Sequence, residues 1–421
     1  KEDLLQFIWQ QKLFCVKKLQ TTAGKPLEII QTGFLNKNQG PDFIQARINY
    51  QGLIWVGSIE IHIKASDWIK HNHQHDPRFD KVILHVIWEN DIQITDVYNQ
   101  EIPTLHLEPL VEKTLLLKYK LLQEKEYELP CQYLALKVNP MRWIPWKEKL
   151  VMERLEQKYV LIKQLLDYFQ NDWERVAWLY VASLMAGHIN NTHFEQLIKL
   201  TPLKLFWQYK NDRTVVEAIL YGQALLLHKK YQDEYPKLLY KEYQFYAQKH
   251  QLIPLQYPPD FMRMRPVSFP TIRLSQLADG LMKNGQLFSE IISAKSYNDC
   301  SFFNQWTAHE YWKNHYQFDH PVNSKIPQKM GSQIVQRILI NAFVSLRFAY
   351  YSYYHDYRGK MESLDLLKHF SKEDNSITRI FTQIKVDHKS AFDSQAFIEL
   401  FNEYCRFKKC LNCNIGQSIL L

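Results

Sequence analysis

Long apolar runs are absent from this sequence. No stretch of about 18 apolar residues is free of charges, so the sequence predicts no membrane span. Glycine is scarce, with 12 among 421 residues, which favours helices over a turn-rich β fold. Six cysteines in so long a chain do not indicate a secreted disulfide framework. Because the first residues predict an amphipathic helix rather than a signal peptide, we expect a cytoplasmic protein.

The composition is that of an ordinary globular protein with a basic excess. Hydrophobic residues make up 46% and charged residues 23%. The net charge is 52 − 44 = +8, and the isoelectric point is about 8.9. A moderate basic excess is compatible with a nucleic-acid partner, although many basic proteins bind none.

The pattern along the chain predicts an α+β fold with two domains, an α/β domain over residues 1–125 and a helical domain over 126–421. In the first domain we predict a helix at 2–14, a short helix at 67–71 and strands at 27–36, 43–50, 53–65, 81–88, 92–97 and 102–107. In the second we predict helices at 143–169, 172–185, 215–228, 235–250, 274–282, 332–350 and 394–404.

The predicted hairpin after Pro41 carries the most informative polar residues. Alternation along its second strand places Glu60, His62 and Lys64 on one face and apolar residues on the other. Asp42 precedes the first strand, so the hairpin can bring it near Glu60. Two carboxylates can hold Mg²⁺ or Mn²⁺, while His62 or Lys64 would act on a water or a phosphate. The alternative is a hairpin with a solvated polar face.

These residues resemble the PD-(D/E)-x-K nuclease superfamily, through Pro41-Asp42, a hairpin and then Glu60-Ile61-His62. The resemblance implies a restriction-endonuclease-like core of a helix, three strands, a helix and another strand. It also implies a further acid in the first helix, for which Glu2 is the candidate. The sequence departs from the pattern at the lysine position, which holds His62, while Lys64 lies one same-face step later. That departure leaves the catalytic base open and permits an inactive binding variant.

A histidine-rich segment follows the hairpin, with Asp67 before it and His71, His73 and His75 at alternate positions. Such residues could bind a transition metal. On a helix or loop, however, this spacing does not aim all three histidines at one point. The alternative is a polar loop at the rim of the site, where Asp67, His71 and His73 would contact the substrate or support the metal ligands.

Three cysteines close the sequence, as Cys405, Cys410 and Cys413. A Cys-x-x-Cys pair with a third cysteine is typical of half of a structural metal site. Cys131, Cys300 and a histidine such as His309 are candidates for the fourth ligand, of which we prefer Cys131. We expect Zn²⁺ in preference to an iron–sulfur cluster, which stays open. The alternative is a set of unligated thiols near the terminus.

Three arginines are candidate phosphate contacts, namely Arg47 in the hairpin and Arg265 and Arg273 around a predicted proline-rich loop. The last two could equally pair with acids inside the helical domain.

Several phrases resemble an uncharacterised bacterial family known as domain of unknown function 2851. They include 38–43 (NQGPDF), 55–62 (WVGSIEIH), 265–273 (RPVSFPTIR) and 410–416 (CLNCNIG). This resemblance implies little about activity, because the family itself has no assigned activity. From the hairpin we expect a divalent-metal nuclease acting on DNA or RNA, or a degenerate relative. The alternatives are a non-catalytic nucleic-acid-binding or scaffold protein and a metal-dependent enzyme that uses the His71–His75 cluster on another substrate.

Overall fold

The computed structural model describes residues 2–95, 100–124, 128–294 and 296–421, and these form the predicted α+β fold. The chain divides into two compact units. Unit 1 consists of Lys1–Trp146, Gln383–Val386 and Leu400–Leu421, and unit 2 consists of Lys147–Thr382 and Asp387–Glu399.

Unit 1 is built on a mixed sheet. Its described strands are β1 (Leu27–Gln31), β2 (Phe34–Leu35), β3 (Phe43–Tyr50), β4 (Leu53–Lys64), β5 (Val82–Glu89) and β6 (Thr104–His106). The order is β1-β3-β4-β5-β6, with β2 paired to β3. Strands β1, β3 and β4 are antiparallel neighbours, whereas β5 is parallel to β4 and β6 is parallel to β5. A parallel neighbour needs a crossover, which the segment between Lys64 and Val82 provides.

Helices make up most of the remaining described chain. In chain order they are α1 (Glu2–Gln10), α2 (Asp67–Lys70), α3 (Lys113–Gln123), α4 (Trp143–Tyr168), α5 (Trp173–Leu200), α6 (Leu203–Gln208), α7 (Arg213–Gln223), α8 (Glu234–His250), α9 (Pro270–Lys283), α10 (Leu287–Ser293), α11 (Ser332–Ile338), α12 (Val344–Tyr353), α13 (Tyr357–Asp365), α14 (Ser376–Gln383), α15 (Ala391–Glu399) and α16 (Asn414–Leu420). A π-helical turn, Leu339–Phe343, joins α11 to α12. The described part of unit 2 is helical apart from a two-stranded sheet, β7 (His315–Gln317) and β8 (His320–Pro321).

The sheet of unit 1 is covered on both faces. On one face, Ile8 and Trp9 of α1 and Leu115 of α3 pack with Phe43 and Ile59 of the sheet in the main core. On the other face, the crossover supplies Trp68 and Phe79, which form a smaller core with Ile87 and Ile94. The polar face of β4 therefore lies beneath the crossover, so Glu60 and His62 are buried rather than open to solvent.

A β-bulge shapes the start of β3. The register shifts between Phe43 and Ala46, and Gln45 adopts a φ of 58°. Because of the extra residue, the side chains that follow the bulge point into the same core as Phe43. The Asp42 side chain points to the opposite face of the sheet. Gly33, at a φ of 88°, lies against this bulge, because a Cβ there would stand 2.7 Å from the Ile44 carbonyl oxygen.

The strand predictions need three corrections. The predicted strand at 27–36 is two strands, because its pairing with β3 is interrupted at residues 32–33, opposite the bulge of β3. The predicted strand at 92–97 is not formed at 92–95, where Thr95 makes only an isolated bridge to Glu101, and residues 96–97 lie outside the described ones. Strand β6 is shorter than the predicted 102–107.

The helix predictions were right in position but wrong at several ends. The first helix ends at Gln10 rather than at 14, and α7 ends at Gln223 because Leu225 has a positive φ of 57°. Helix α5 runs past the predicted end at 185 to Leu200, through a non-helical Gly187. The last predicted helix, at 394–404, is α15 followed by a π-helical turn, Leu400–Cys405.

The division of the chain differs from the predicted boundary at 125/126. Unit 1 continues to Trp146 and takes back Leu400–Leu421, so the C-terminal cysteines belong with the sheet rather than with the helical part. Among the described helices, none combines the length and apolar character that crossing a bilayer requires.

Candidate metal centre

Asp42 and Glu60 lie opposite each other on neighbouring strands. Phe43 pairs with Ile59, so Asp42 and Glu60 form the next pair along the antiparallel ladder. The Asp42 N–H donates to Glu60 Oε2 at 3.0 Å, and the Ile61 N–H donates to Asp42 Oδ2 at 3.0 Å. Since opposed residues have Cβ atoms about 5 Å apart, both carboxylates are near enough to share one cation.

Helix α1 adds two residues to this pair. Gln6 Nε2 donates to Asp42 Oδ1 at 2.8 Å. Glu2 lies one helical turn earlier on the same face, and its charge acts on both Asp42 and Glu60. The acid predicted in the first helix therefore lies with the other two carboxylates.

Three histidines converge beside Glu60. The Nε2 atoms of His62 and His73 each lie 3.5 Å from Glu60 Oε1, and His71 Nδ1 lies 3.3 Å from His62 Nε2. His62, His71 and His73 can each offer a ring nitrogen such that all three nitrogens lie within 4.8 Å of one another. The left-handed conformation of Asn72, at a φ of 63°, lets two alternate histidines of the crossover share this point with a third on β4.

A fourth histidine, His85, contacts the ring nitrogen of His62 that faces away from Glu60. His62 Nδ1 lies 2.8 Å from His85 Nε2, and both rings are buried. When His62 donates through Nδ1, its Nε2 lone pair points toward Glu60, His71 and His73. This is the tautomer that a metal ligand requires, and a hydrogen bond from the other ring nitrogen is the usual way to secure it.

The ionisation of the cluster follows from its burial. Burial and the charge of Asp42 raise the pKa of Glu60 to about 9, and burial raises that of Asp42 to about 6. Burial and the neighbouring histidines lower the pKa of His62 to about 3, and burial also lowers the pKa of His73. Near neutral pH His62 and His73 are uncharged and carry lone pairs, while the carboxylates disfavour each other's charge. A divalent cation would relieve that repulsion.

Lys64 is not part of the cluster. Its Nζ lies 3.3 Å from Glu89 on β5, and half of its side chain is exposed. The Lys64 N–H donates to Asp67 Oδ2 at 3.1 Å, which places Asp67 close enough for its charge to act on His62. The two-residue step beyond His62 carries Lys64 past the end of the buried face, so of these two candidates only His62 lies in the cluster.

Two further candidates of unit 1 lie away from the cluster. Arg47 is exposed and pairs with Val56, four residues along β4 from Glu60, or roughly 13 Å. His75 is exposed and is not among the three converging histidines. The expectation that His71, His73 and His75 do not meet at one point was right for His75, but His62 takes its place.

The two arginines of unit 2 differ from each other. Arg265 is exposed in the loop, as predicted. Arg273 is not in that loop, because α9 begins at Pro270. Its side chain is buried, and its Nη1 donates to Gln276 Oε1 at 2.7 Å. The Arg273 guanidinium thus serves a contact inside unit 2.

The four candidate cysteines all belong to unit 1. Cys410 and Cys413 are buried, and Cys131 and Cys405 are half-buried. The thiols of Cys131, Cys410 and Cys413 are electrostatic neighbours of the Cys405 thiol.

The family model described as "Protein of unknown function (DUF2851)" matches residues 2–376. The chain belongs to this family. The match includes every residue of the candidate metal centre and ends before Cys405. No curated protein and no solved structure matches the chain.

Sequence reasoning gave no role to two residues of the centre in this DUF2851 protein, namely Gln6 and His85. Gln6 could have been found from its spacing of four residues from Glu2, which places both on one helical face. His85 lies in an apolar strand, 81–88, and a single polar residue in such a run is itself a signal. Only the pairing of His85 with Glu60 in the parallel register reveals that it lies beside His62.

Proposed function

We propose that this protein is a metal-dependent nuclease that hydrolyses phosphodiester bonds of DNA or RNA. The observation that carries the proposal is the series of contacts that joins Asp42 to Glu60 and the Glu60 carboxylate to His62 and His73. Two carboxylates and neutral imidazoles form a donor set for a divalent cation.

The donor set favours Mn²⁺ over Mg²⁺, because imidazole nitrogen suits transition metals whereas Mg²⁺ prefers oxygen. Asp42 and Glu60 would supply oxygen, and His62 and His73 would supply nitrogen. When bound, the cation would polarise the phosphate and lower the pKa of a water.

The residues around this set have separate tasks. His71 is exposed and keeps a ring nitrogen 3.3 Å from His62 Nε2, so it would accept the proton of the attacking water. Gln6 would hold Asp42 in orientation through its 2.8 Å hydrogen bond. His85 would hold His62 in the ligand tautomer.

Nucleic acid is the substrate class that the surroundings of the site support. A cleft of about 460 Å³ in unit 1 includes Gln6, the partner of Asp42, and Phe407 and Lys409 on its wall. Phe407 is 60% exposed, and the Lys409 Nζ lies 5.1 Å from its ring centroid. An exposed aromatic ring beside a cation suits a base and its phosphate, and the net charge of +8 favours a polyanion.

The order of elements also supports the proposal. Helix α1, the antiparallel strands β1, β3 and β4, helix α2 and the parallel strand β5 follow one another as in the PD-(D/E)-x-K core that the sequence resembles. With His62 where that pattern has lysine, the site would be a histidine-bearing variant.

Because the six cysteines do not indicate a secreted disulfide framework, we still expect a cytoplasmic location.

Cleavage of labelled single-stranded and double-stranded DNA and of RNA by the full chain tests the proposal. We expect cleavage with Mn²⁺, weaker cleavage with Mg²⁺ and none with a chelator. Asp42→Asn and Glu60→Gln should each lower the rate more than about a hundredfold, since a lost metal ligand costs at least as much as a lost supporting group.

Matched controls are available in unit 1. Glu28→Gln changes an exposed carboxylate of β1, and His75→Ala changes the exposed histidine beside the cluster, so both should keep the activity. Binding of nucleic acid without cleavage, unchanged in Asp42→Asn, would favour the scaffold alternative. Metal-dependent hydrolysis of other phosphodiesters alone would favour the enzyme on another substrate.

A further inference from the structure

The C-terminal cysteines are held on the surface of α3. The Lys408 Nζ donates to the Glu124 carbonyl oxygen at 2.8 Å, at the end of that helix, and also to the Gln123 carbonyl oxygen. The Cys410 sulfur lies 3.8 Å from the Leu122 carbonyl oxygen. These contacts carry Cys410 and, through the short turn Cys410–Asn412, Cys413 into the interior of unit 1.

The last helix closes over this segment. Helix α16 begins directly after Cys413, and Gly416 lies so close to Cys410 that a Cβ there would stand 2.2 Å from its carbonyl oxygen. Helix α16 also packs against the turn Ala135–Lys137 that follows Cys131. The Ala135 N–H donates to the Cys131 carbonyl oxygen at 2.8 Å. The fold therefore brings Cys131 to the three C-terminal cysteines across more than half of the chain.

The four thiols form one group. Cys131 has Cys413 and Cys410 as electrostatic neighbours, and Cys405 has all three of the others. None of the described cysteines forms a disulfide. Four cysteines gathered in the interior without a disulfide are a ligand set for a thiophilic metal centre.

The spread of the sulfur atoms separates the two kinds of centre. A tetrahedral Zn²⁺ with bonds of about 2.3 Å holds its sulfur atoms about 3.8 Å apart. Among the described residues, the histidine group is the one set of three whose ligand atoms all lie within 4.8 Å of one another, so no three of these sulfur atoms are that close. A four-iron cluster gives each thiolate its own iron and keeps the thiolates farther apart.

We propose that Cys131, Cys405, Cys410 and Cys413 hold a [4Fe–4S] cluster. Each thiol would release its proton to solvent and bind one iron of the cluster. Lys408, whose positive charge acts on Cys410, would offset part of the negative charge of the four thiolates. The cluster would tie the segment after α3 to the C-terminal segment, which is a stabilising role independent of the metal centre at Asp42 and Glu60.

The full chain, purified without oxygen from iron-supplied cells, provides the test. We expect about four iron atoms and four acid-labile sulfides per chain, with a broad visible absorption band that dithionite bleaches. Stoichiometric Zn²⁺ without sulfide, or a chain without metal, would overturn the proposal. Because these are measurements on the unaltered protein, they decide it even if the cysteine variants fail to fold.

Variants then assign the ligands. Cys131→Ser and Cys413→Ser should each lose most of the iron and the visible band. Cys15→Ser, at an exposed position of unit 1, and Cys300→Ser, in unit 2, should retain both. Asp42→Asn should also retain the cluster, so failure of the nuclease proposal leaves this one standing. Iron retained in Cys131→Ser would remove Cys131 from the ligand set.

Discussion

Glu60 bears the largest electrostatic cost among the carboxylates of the metal centre. It is 6% exposed, accepts a hydrogen bond from the backbone of Asp42, and has that residue's carboxylate as a neighbour. A carboxylate in this position is costly to ionise unless a cation joins it. If the protein binds a metal, the positive charge of the cation offsets this electrostatic cost, and the ionised carboxylate becomes favourable.

Glu60→Gln should therefore stabilise the metal-free protein in a pH-dependent way. The folded chain holds the Glu60 proton up to a pKa of about 9, whereas the unfolded chain releases it near 4.5, so stability falls as the pH rises between these values. Glutamine cannot ionise, so Glu60→Gln removes this decrease of stability with pH. The free energy of unfolding should rise by roughly 1–3 kcal/mol near pH 8 and much less near pH 5.

Urea unfolding of both proteins at the two pH values measures this gain. Glu28→Gln, which changes an exposed carboxylate on the same sheet, is the control. A Glu60→Gln variant that is less stable than wild type near pH 8 would mean that the carboxylate has a structural task instead.

His73 and His75 offer a second contrast at the residue scale. His73 Nε2 lies 3.5 Å from Glu60, while His75, two residues later, is exposed. His73→Ala should weaken Mn²⁺ binding at least about tenfold, because it removes a ligand, whereas His75→Ala should leave it unchanged. Isothermal titration calorimetry with Mn²⁺ gives both affinities, and equal losses in the two variants would contradict the assignment.

At the scale of elements, the pairing of β4 with β5 positions the whole centre. The parallel register sets Glu60 beside His85 and His62 beside Ile87, while the Ser58 N–H donates to the Lys81 carbonyl oxygen at 2.8 Å. Gly57 makes this approach possible. A Cβ at Gly57 would stand 2.4 Å from the Lys81 carbonyl oxygen and 2.5 Å from the Ile83 Cγ2.

Gly57→Ala should consequently destabilise the protein by about 2–3 kcal/mol, since the strands must separate to admit the methyl group. It should also weaken Mn²⁺ binding, because the register of β4 on β5 carries Glu60 and His62. Chemical unfolding and Mn²⁺ titration measure the two effects. Gly331→Ala is the control, because a Cβ there meets no atom within 4 Å. Similar unfolding curves for both variants would show that the strands adjust freely.

At the scale of the whole molecule, the chain makes two units, and the candidate metal centre belongs to unit 1 alone. A ligand that binds the folded state stabilises it by about 2.7 kcal/mol at a hundred times its dissociation constant. Opening reactions of unit 1 should therefore become rarer when Mn²⁺ is present.

Hydrogen exchange followed by mass spectrometry should show this difference between the units. With saturating Mn²⁺, we expect slower exchange in peptides of α1, β4 and the crossover 65–81. Peptides of α7 and α9 in unit 2, which contain no residue of the centre, should exchange as before. Asp42→Asn should abolish the protection, and equal protection in both units would point to metal bound elsewhere.

Local patterns in the chain were sufficient for part of this picture. Alternation in 53–64 placed Glu60 and His62 on one face, because successive side chains of a strand point to opposite sides. Apolar spacing located α4 and α8 almost to the residue, since a helix shows its period over many residues. The closeness of Asp42 to Glu60 also followed from sequence, because a tight hairpin brings its strands together. The exact pair did not, because the register at the turn would set Asp42 opposite Ile61, and the bulge between Phe43 and Ala46 shifts it to Glu60.

What only the tertiary structure decided are the partners that come from elsewhere in the chain. Gln6 reaches Asp42 from α1, His85 reaches His62 through a parallel pairing, and Cys131 joins cysteines that follow it by more than 270 positions. The tertiary structure also decided that Lys64 lies outside the metal centre, where it pairs with Glu89 of the neighbouring strand. Periodicity reports which side of its own element a residue occupies, whereas the element packed against that side is chosen by the burial of apolar surface over the whole unit.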